Sequence, residues 1–204
     1  MGQVPERLRW AVEMLDVRPH DHVMEIGCGR GVAAALVCER LREGRLLALD
    51  RSATAIAAAS ARNAGHVAAG RAEFRTLALE DLGPPAGSIG PLASDGLRNG
   101  AFDSVLAVNV NLFWMRPAQD ELRLVAGLLR PGGRLVLVYD PPAPDRAARI
   151  EAALVDRLHR AGYDCRTTTR PDGRSLLLGV AATPATPAGG DGPPRGVRRR
   201  RAAP

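Results

Sequence analysis

The sequence predicts an α/β fold, a doubly wound and mostly parallel seven-stranded sheet with helices on both faces. Five apolar segments of strand length alternate with segments of helical period, which is typical of a parallel sheet covered on both sides. Two further extended segments, Y-D-C-R-T-T-T and R-S-L-L-L-G-V-A-A, are joined by R-P-D-G, a hairpin signal. They bring the number of strands to seven and make the last strand antiparallel.

The spacing of apolar residues and breakers sets the expected elements in chain order. Strands are expected at Asp21 to Gly27, Arg45 to Asp50, Ala72 to Leu79, Ala101 to Asn109 and Gly133 to Asp140. Helices are expected at Pro5 to Leu15, Val32 to Glu43, Ser52 to Ala64, Pro117 to Arg130 and from Pro144 onward. The stretch from Asp81 to Gly100, rich in glycine and proline, is predicted to be a loop.

Residues at the ends of these helices support their bounds. Ser52 is suited to an N-cap, and Pro117 stands at a first-turn position. Pro131-Gly132-Gly133 is expected to stop the helix before it, and Gly162 is expected to end the helix that starts at Pro144.

The first helix carries two apolar stripes, Leu8-Val12-Leu15 and Trp10-Met14-Val17. One stripe is expected to pack on the sheet. The other is left to cover a ligand or to form a contact between copies, so the chain is expected to be a monomer or a homodimer.

The run V-M-E-I-G-C-G-R-G, Val23 to Gly31, carries the most information about function. This pattern is typical of a buried strand followed by a glycine-rich turn and the start of a helix. The next apolar run, L-L-A-L-D, ends in Asp50. Glycines let the backbone approach a ligand without a Cβ clash, and a carboxylate at the end of the second strand accepts hydrogen bonds from ribose hydroxyls. The pattern therefore predicts a site for a cofactor that contains adenosine.

Two cofactors of this kind compete for the turn. The dinucleotide pattern is G-x-G-x-x-G, whereas Gly27, Gly29 and Gly31 give G-x-G-x-G and the third dinucleotide position holds Val32. Glu25 stands two residues before the first glycine, where a carboxylate suits an amino group and a sulfonium but suits a pyrophosphate poorly. S-adenosyl-L-methionine (SAM) is therefore favoured over NAD.

The stretch E-I-G-C-G-R-G resembles motif I of the class I SAM-dependent methyltransferases, and Asp50 falls where that family has its ribose-binding acid. L-R-P-G-G-R-L-V-L-V is similar to the family's entry into strand five. The resemblance covers about Asp21 to Ala182 and implies the sheet order 3-2-1-4-5-7-6, with SAM as the cofactor.

The resemblance, with the rule that ligands bind beyond the carboxyl ends of parallel strands, implies the cofactor site. Glu25 and the glycine turn are expected to hold the methionine end, Asp50 the ribose, and Arg51 with Leu79 the adenine. Ala78 occupies the position where many relatives have an acid facing the adenine, and Glu80 follows it closely. The cofactor-binding residues are therefore predicted to be Glu25, Gly27, Cys28, Gly29, Gly31, Asp50, Arg51, Leu79, Glu80 and Asn109.

The segment V-N-V-N-L-F-W-M-R, which follows the fourth strand, is the predicted binding site for the molecule that accepts the methyl group. Aromatic walls and amides at this position suit a flat or apolar substrate. The predicted substrate residues are Asn111, Phe113, Trp114 and, after the fifth strand, Tyr139. The alternative is that Leu112 and Phe113 cap the core and only Trp114 touches a ligand.

Asp140 is the candidate general base, because it ends the fifth strand at the predicted crevice. His20, His22 and His66 fall at the opposite edge of the sheet, and His159 lies within a late helix. No acids or histidines cluster at the crevice, so no metal is expected.

The excess positive charge lies mostly in one terminal segment. The chain has no lysine and a net charge of +6, of which residues 183–204 carry +4 through five arginines and one aspartate. This Pro-, Gly- and Ala-rich segment is predicted to be a disordered tail. The whole chain has only seven aromatic residues for stacking on bases, so a specific nucleic-acid partner is not expected.

Composition bounds the remaining possibilities. Apolar residues make up 46% of 204, which predicts one domain at residues 21–182 after an N-terminal helix at residues 1–20. No segment resembles a membrane span or a signal peptide, and three widely spaced cysteines favour a reducing compartment, so a cytoplasmic location is predicted.

These observations predict a methyltransferase that moves the methyl group of SAM to a small-molecule acceptor by in-line displacement at the sulfonium. Two alternatives stay open. One is an RNA or protein methyltransferase that docks through the arginine tail, and the other is a SAM-binding protein without turnover. Deletion of residues 183–204 would distinguish the first from the main prediction.

Overall fold

A computed structural model describes residues 3–82, 99–173 and 175–185 of the chain. Its seven strands form one sheet in the order β3-β2-β1-β4-β5-β7-β6, which confirms the predicted topology. The strands are β1 (His22–Ile26), β2 (Arg45–Asp50), β3 (Ala72–Thr76), β4 (Phe102–Val108), β5 (Leu129–Tyr139), β6 (Tyr163–Asp172) and β7 (Ser175–Pro184). Strand β7 runs antiparallel to β5 and β6, and the other pairs are parallel.

Helices cover both faces of the sheet. They are α1 (Glu6–Leu15), α2 (Val32–Cys38), α3 (Ala53–Arg62), α4 (Ala64–Ala68), α5 (Leu112–Met115), α6 (Gln119–Leu128) and α7 (Pro144–Arg160), with a short 3-10 helix at Leu79–Leu82. Strand β5 shows how the two cores are separated. Leu135, Leu137 and Tyr139 face the core that includes α6 and α7, whereas Val136 and Val138 face the core that includes α1 and α2.

Three predicted bounds need correction. Helix α6 ends at Leu128, and Pro131-Gly132-Gly133 lies inside β5, at a break in its register with β4. Helix α2 ends at Cys38, because the backbone N–H groups of Arg42 and Gly44 turn back to the carbonyl of Pro19 at 2.7 and 3.0 Å. Strand β3 ends at Thr76 and is followed by the 3-10 helix.

Helix α1 buries both of its apolar stripes. Trp10, Val12 and Leu15 are each at most 4% exposed, and Met14 packs against the same core. A Cβ built on Gly179 of β7 would lie 2.9 Å from the ring of Trp10, so the helix lies directly on the backbone of the last strand. The expectation that one stripe stays free to cover a ligand is therefore wrong.

Several expectations lie wholly or mostly outside the described residues. The loop predicted between Asp81 and Gly100 is described only at its two ends, and strand β7 continues through Pro184 into the segment assigned to the tail. Among the helices that the structure describes, none is long and apolar enough to span a bilayer.

Candidate functional site

The glycine turn joins β1 to α2 with three residues in the left-handed region. Gly27, Gly29 and Gly31 have φ values of 69°, 52° and 70°, which L side chains rarely adopt. A Cβ at Gly27 would lie 2.7 Å from the side chain of Val110, whereas a Cβ at Gly29 would meet nothing within 4 Å. The turn is thus packed at its start and open at its middle glycine.

Asn63, at the end of α3, holds the last glycine of this turn. Its side-chain amide donates to the carbonyl oxygens of Gly31 and Ala59 at 3.0 and 2.9 Å, and the residue is 1% exposed. A Cβ at Gly31 would lie 2.7 Å from that amide nitrogen, so only glycine fits there. Sequence analysis did not identify Asn63, which lies 32 residues after its partner and belongs to no local motif.

Asp50 ends β2 beside the turn, as predicted. Its Oδ2 accepts the backbone N–H of Gly29 at 2.8 Å, and its Oδ1 accepts that of Ser52 at 2.9 Å. A carboxylate has about four lone-pair sites, so these two bonds leave acceptor capacity on a half-buried group. Ser52 in turn caps α3 by accepting the N–H of Ala55 at 3.2 Å, which confirms its predicted role.

Glu25 is a buried acid in β1 that lacks a full set of partners. The residue is 3% exposed, and its Oε2 has no hydrogen-bond partner. Burial, together with the Asp50 carboxylate, raises the pKa of Glu25 to about 8. Such a group suits a bound cation. A positively charged donor would give Oε2 a hydrogen-bond partner and would offset the cost of burying the carboxylate charge.

Cys28 is a packing residue of the turn. Cys28 is 6% exposed within the turn, and burial with the nearby Glu25 carboxyl raises the pKa of its thiol to about 12. A thiol of this kind is neutral at physiological pH and is a poor nucleophile. Cys28 therefore contributes shape to the turn.

The ends of β4 and β5 are tied together through Asn109. Asn109 has a φ of 56°, donates its backbone N–H to the carbonyl of Val138 at 2.8 Å, and accepts the N–H of Asp140 on its Oδ1 at 2.9 Å. Asp140, the candidate base, also forms an ion pair with Arg7 of α1 at 3.4 Å. Its charge is therefore already matched by a partner that sequence analysis did not identify.

Two of the predicted substrate residues belong to the core. Phe113 is fully buried, and Tyr139 is 2% exposed and donates its hydroxyl to the carbonyl of Val110 at 2.7 Å. Burial also raises the pKa of Tyr139 above its usual range. The structure thus corrects both expectations and agrees with the alternative in which Phe113 caps the core.

Trp114 and Asn111 remain at the carboxyl edge of the sheet. Trp114 is half-buried and donates its indole N–H to Oδ1 of Asn111 at 3.1 Å. The guanidinium carbon of Arg146, in the first turn of α7, lies 5.7 Å from the centre of the indole ring. Met115 follows with 64% of its surface exposed.

Of the residues predicted to lie near the adenine, one is in the core and two are on the surface. Leu79 is 3% exposed and packs in the core, so its side chain does not present a surface to a ligand, contrary to expectation. Glu80 is exposed and pairs with Arg116 at 3.2 Å, which links the end of β3 to the segment after β4. Arg51 is exposed next to Asp50.

The opposite edge of the sheet carries none of the predicted site residues. An open cavity of about 410 Å³ lies there, lined in part by His22, Arg45 and Glu73. Despite its size, we place the site at the carboxyl edge, where the buried acid and the open glycine lie. Within the described residues, no three His, Cys, Asp or Glu side chains group in a way that could hold a metal ion.

Comparison with known proteins identifies the family. Residues 24–135, more than half of the chain, match the family model of the methyltransferase domain. The chain belongs to the class I methyltransferases. One curated relative is trans-aconitate 2-methyltransferase of Deinococcus radiodurans, 32% identical over 133 residues that cover 64% of this chain and 41% of the relative. The chain therefore matches less than half of that enzyme's length.

Solved structures share the fold of this chain. Geranyl diphosphate C-methyltransferase of Streptomyces coelicolor, in complex with geranyl diphosphate, Mg²⁺ and S-adenosyl-L-homocysteine, aligns with a TM-score of 0.64 and 14% identity over 88% of this chain and 80% of its own. The [4+2]-cyclase SpnF aligns at 0.62 with 16% identity over 88% and 81%. The fold alone thus accompanies more than one named activity.

SAM is the methyl donor of class I methyltransferases, and the site fits it on three observations. The partnerless Oε2 of Glu25 suits an ammonium group, the open position at Gly29 leaves space for a ligand against the backbone, and Asp50 retains acceptor capacity. The carboxyl ends of β1 and β2 bring these three residues together, as the sequence predicted.

Proposed function

We propose that the protein transfers a methyl group from SAM to a small-molecule acceptor. The buried, partnerless carboxyl oxygen of Glu25 beside the glycine turn carries this proposal. An acid of this kind is costly to the fold unless a cation completes it. The amino group of a bound amino acid moiety is such a cation.

Each part of the proposed cofactor site has its own task. Glu25 accepts hydrogen bonds from the amino group, and Asp50 accepts them from ribose hydroxyls. The glycine turn supplies backbone at close range, and Asn63 keeps that backbone in place. The cofactor supplies a methyl group on a sulfonium, which is already reactive toward nucleophiles.

The protein's main contribution to rate is orientation. Fixing an acceptor in line with a reactive group contributes up to about 7 to 11 kcal/mol to lowering a barrier. Segment 109–115 and Asp140 lie at the carboxyl edge where an acceptor would approach, and they are tied to each other through Asn109. The acceptor is therefore held by elements that share hydrogen bonds with the core.

A small acceptor is favoured by the named activities of similar proteins. The curated relative is named for trans-aconitate, and the Streptomyces enzyme for geranyl diphosphate. Both are small molecules.

Calorimetric titration of SAM, S-adenosyl-L-homocysteine and NAD tests the proposal. The wild type is expected to bind the first two and not NAD. The Asp50→Ala variant should lose about tenfold or more in affinity, since hydrogen bonds to charged groups contribute roughly 1.5–3 kcal/mol. Asp164→Ala, an exposed acid on β6, is the matched control and should bind as the wild type does. Binding of NAD without binding of SAM would reject the proposal.

A further inference from the structure

Residues 110–115, which follow β4, form a platform whose backbone is held by the core and by α7. Arg157 of α7 donates to the carbonyl of Trp114 and lies 3.5 Å from that of Phe113. Phe113 is anchored in the core, and Tyr139 holds the preceding carbonyl of Val110 at 2.7 Å. Three contacts from β5 and α7 thus hold the backbone of residues 110–114, which carries the outer side chains of α5.

The outer surface of this platform combines apolar area with a cation. The half-buried indole of Trp114 and the exposed thioether of Met115 supply the apolar part. The Arg146 guanidinium lies over the indole at 5.7 Å, an arrangement that holds it in place while leaving its N–H donors available.

Arg146 differs from its neighbours in having no acidic partner. Arg7 pairs with Asp140 at 3.4 Å, and Arg116 pairs with Glu80 and Glu121 at 3.2 and 3.6 Å. Within the described residues, Arg146 forms no ion pair and no hydrogen bond through its side chain. Beside Trp114, the Arg146 guanidinium is therefore open to an anion from solution.

At this edge of the sheet the candidate base Asp140 is already paired, and none of the four histidines lies there. Asp140 is paired with Arg7, and the four histidines lie elsewhere: two before or at the start of β1, one in α4 and one near the end of α7. A neutral alcohol or a protonated amine needs a proton removed before it attacks a methyl group. A carboxylate is already ionised at neutral pH and needs none.

We propose that the acceptor is a small polycarboxylate, with one carboxylate bound by Arg146 against Trp114 and another methylated. This inference deepens the proposed function and rests on it. A guanidinium binds a carboxylate through two parallel hydrogen bonds, and the bound oxygens become poor nucleophiles, so a second carboxylate must react.

The reaction balances without a proton. A lone pair of the free carboxylate oxygen forms the new O–C bond to the methyl carbon. The C–S bond breaks and its electron pair stays on sulfur. A cation and an anion are thereby replaced by a neutral thioether and a methyl ester. The curated relative, which is named for the tricarboxylate trans-aconitate, adds independent support.

Binding of trans-aconitate to the full chain, saturated with S-adenosyl-L-homocysteine, tests the inference by calorimetry. The neutral trimethyl ester of trans-aconitate and geranyl diphosphate are the comparison probes. The wild type is expected to bind trans-aconitate and not the ester. Arg146→Gln should weaken binding roughly 10- to 100-fold, since a hydrogen bond to a charged group is lost. Arg149→Gln removes an exposed arginine of the same helix and should change binding less than about twofold.

The outcomes separate this inference from the proposed function. Normal binding of S-adenosyl-L-homocysteine without binding of trans-aconitate overturns the inference alone. Equal binding of the ester, or equal effects of Arg146→Gln and Arg149→Gln, also overturns it. Binding of geranyl diphosphate in place of trans-aconitate, with the same dependence on Arg146, would show that Arg146 binds a phosphate group and not a carboxylate. This result would overturn the inference. Failure of the wild type to bind S-adenosyl-L-homocysteine would overturn the proposed function itself.

Discussion

The side-chain amide of Asn63 donates a hydrogen bond to the carbonyl of Gly31 at 3.0 Å, and this bond ties the end of α3 to the last glycine of the turn. The second hydrogen of the amide is used by Ala59 of the same helix. The turn that we propose as the cofactor site is thus positioned by a residue that is only 1% exposed and therefore cannot itself contact a ligand.

Substitution of Asn63 is expected to weaken cofactor binding through the turn. Asn63→Ala removes both bonds and should lower stability by about 1–3 kcal/mol. It should also lower the affinity for S-adenosyl-L-homocysteine at temperatures where the variant is fully folded. Calorimetry after a check by circular dichroism measures both effects. Ser60→Ala, in the same helix, is the control, and unchanged affinity in Asn63→Ala would contradict a positioning role.

Stability is expected to depend on pH through Glu25. Its pKa is about 8 in the folded protein and 4.5 for an exposed glutamate, so the folded state binds more protons between these values. The free energy of unfolding should therefore fall as pH rises through this window, by a few kcal/mol at roughly 1.4 kcal/mol per pKa unit. Urea unfolding of the wild type and Glu25→Gln at pH 5, 7 and 9 isolates this contribution. Equal pH profiles for the two proteins would show that Glu25 does not cause the pH dependence of the free energy of unfolding.

Cofactor binding near neutral pH is expected to release a proton. Glu25 is mostly protonated at pH 7 and must ionise to accept the amino group of S-adenosyl-L-homocysteine. Binding enthalpies measured in phosphate and in Tris should differ in proportion to the ionisation enthalpies of the buffers, and affinity should rise from pH 6 to pH 8. Identical enthalpies in the two buffers would exclude this coupling.

Gly29 is expected to be the glycine at which a methyl group interferes most directly with the ligand. A Cβ there meets no protein atom within 4 Å, so Gly29→Ala adds only backbone strain of about 1–2 kcal/mol to the free protein. Gly162→Ala is a matched control, since Gly162 has a φ of 81°, open surroundings and a position at the end of α7. Both variants should lose similar stability, but only Gly29→Ala should lose affinity for S-adenosyl-L-homocysteine. Equal affinities would place the ligand elsewhere.

Tyr139→Phe distinguishes a core role from a substrate role. The variant loses one buried hydrogen bond, to Val110, and should be less stable by about 1 kcal/mol, or roughly 2–4 °C in Tm. Because the hydroxyl is buried and already bonded to a backbone carbonyl, it is not available to an acceptor, and KM for an acceptor should stay within about twofold of the wild type. A large rise in KM without loss of stability would restore the predicted substrate contact.

The cofactor side of the site was predictable because its parts are close in sequence. Glu25, the glycines and Asp50 lie within two consecutive strands and the turn between them, and parallel pairing of β1 with β2 brings them together. Motif spacing encodes such a site directly. The sheet order was predictable from the resemblance to the class I methyltransferases, whereas the alternation of strands and helices by itself predicted only a parallel sheet covered on both faces.

The acceptor side was harder to predict because its contacts come from distant elements. Arg7 reaches Asp140 across 133 residues, and Arg157 reaches Trp114 across 43. No local pattern marks these pairs. Tyr139 did carry a usable signal: it continues the alternation of Leu135 and Leu137, which assigns it to the buried face of β5.

The contact between α1 and Gly179 has a consequence for synthesis of the chain. Trp10 and Met14 rest on the backbone of a strand that is separated from them by more than 160 residues. Helix α1 also packs on α2, β4 and β5, so part of its binding surface exists before β7 has been synthesised. Only the contact of Trp10 and Met14 with Gly179 must wait for β7, so these two side chains gain their last neighbours late in synthesis of the domain.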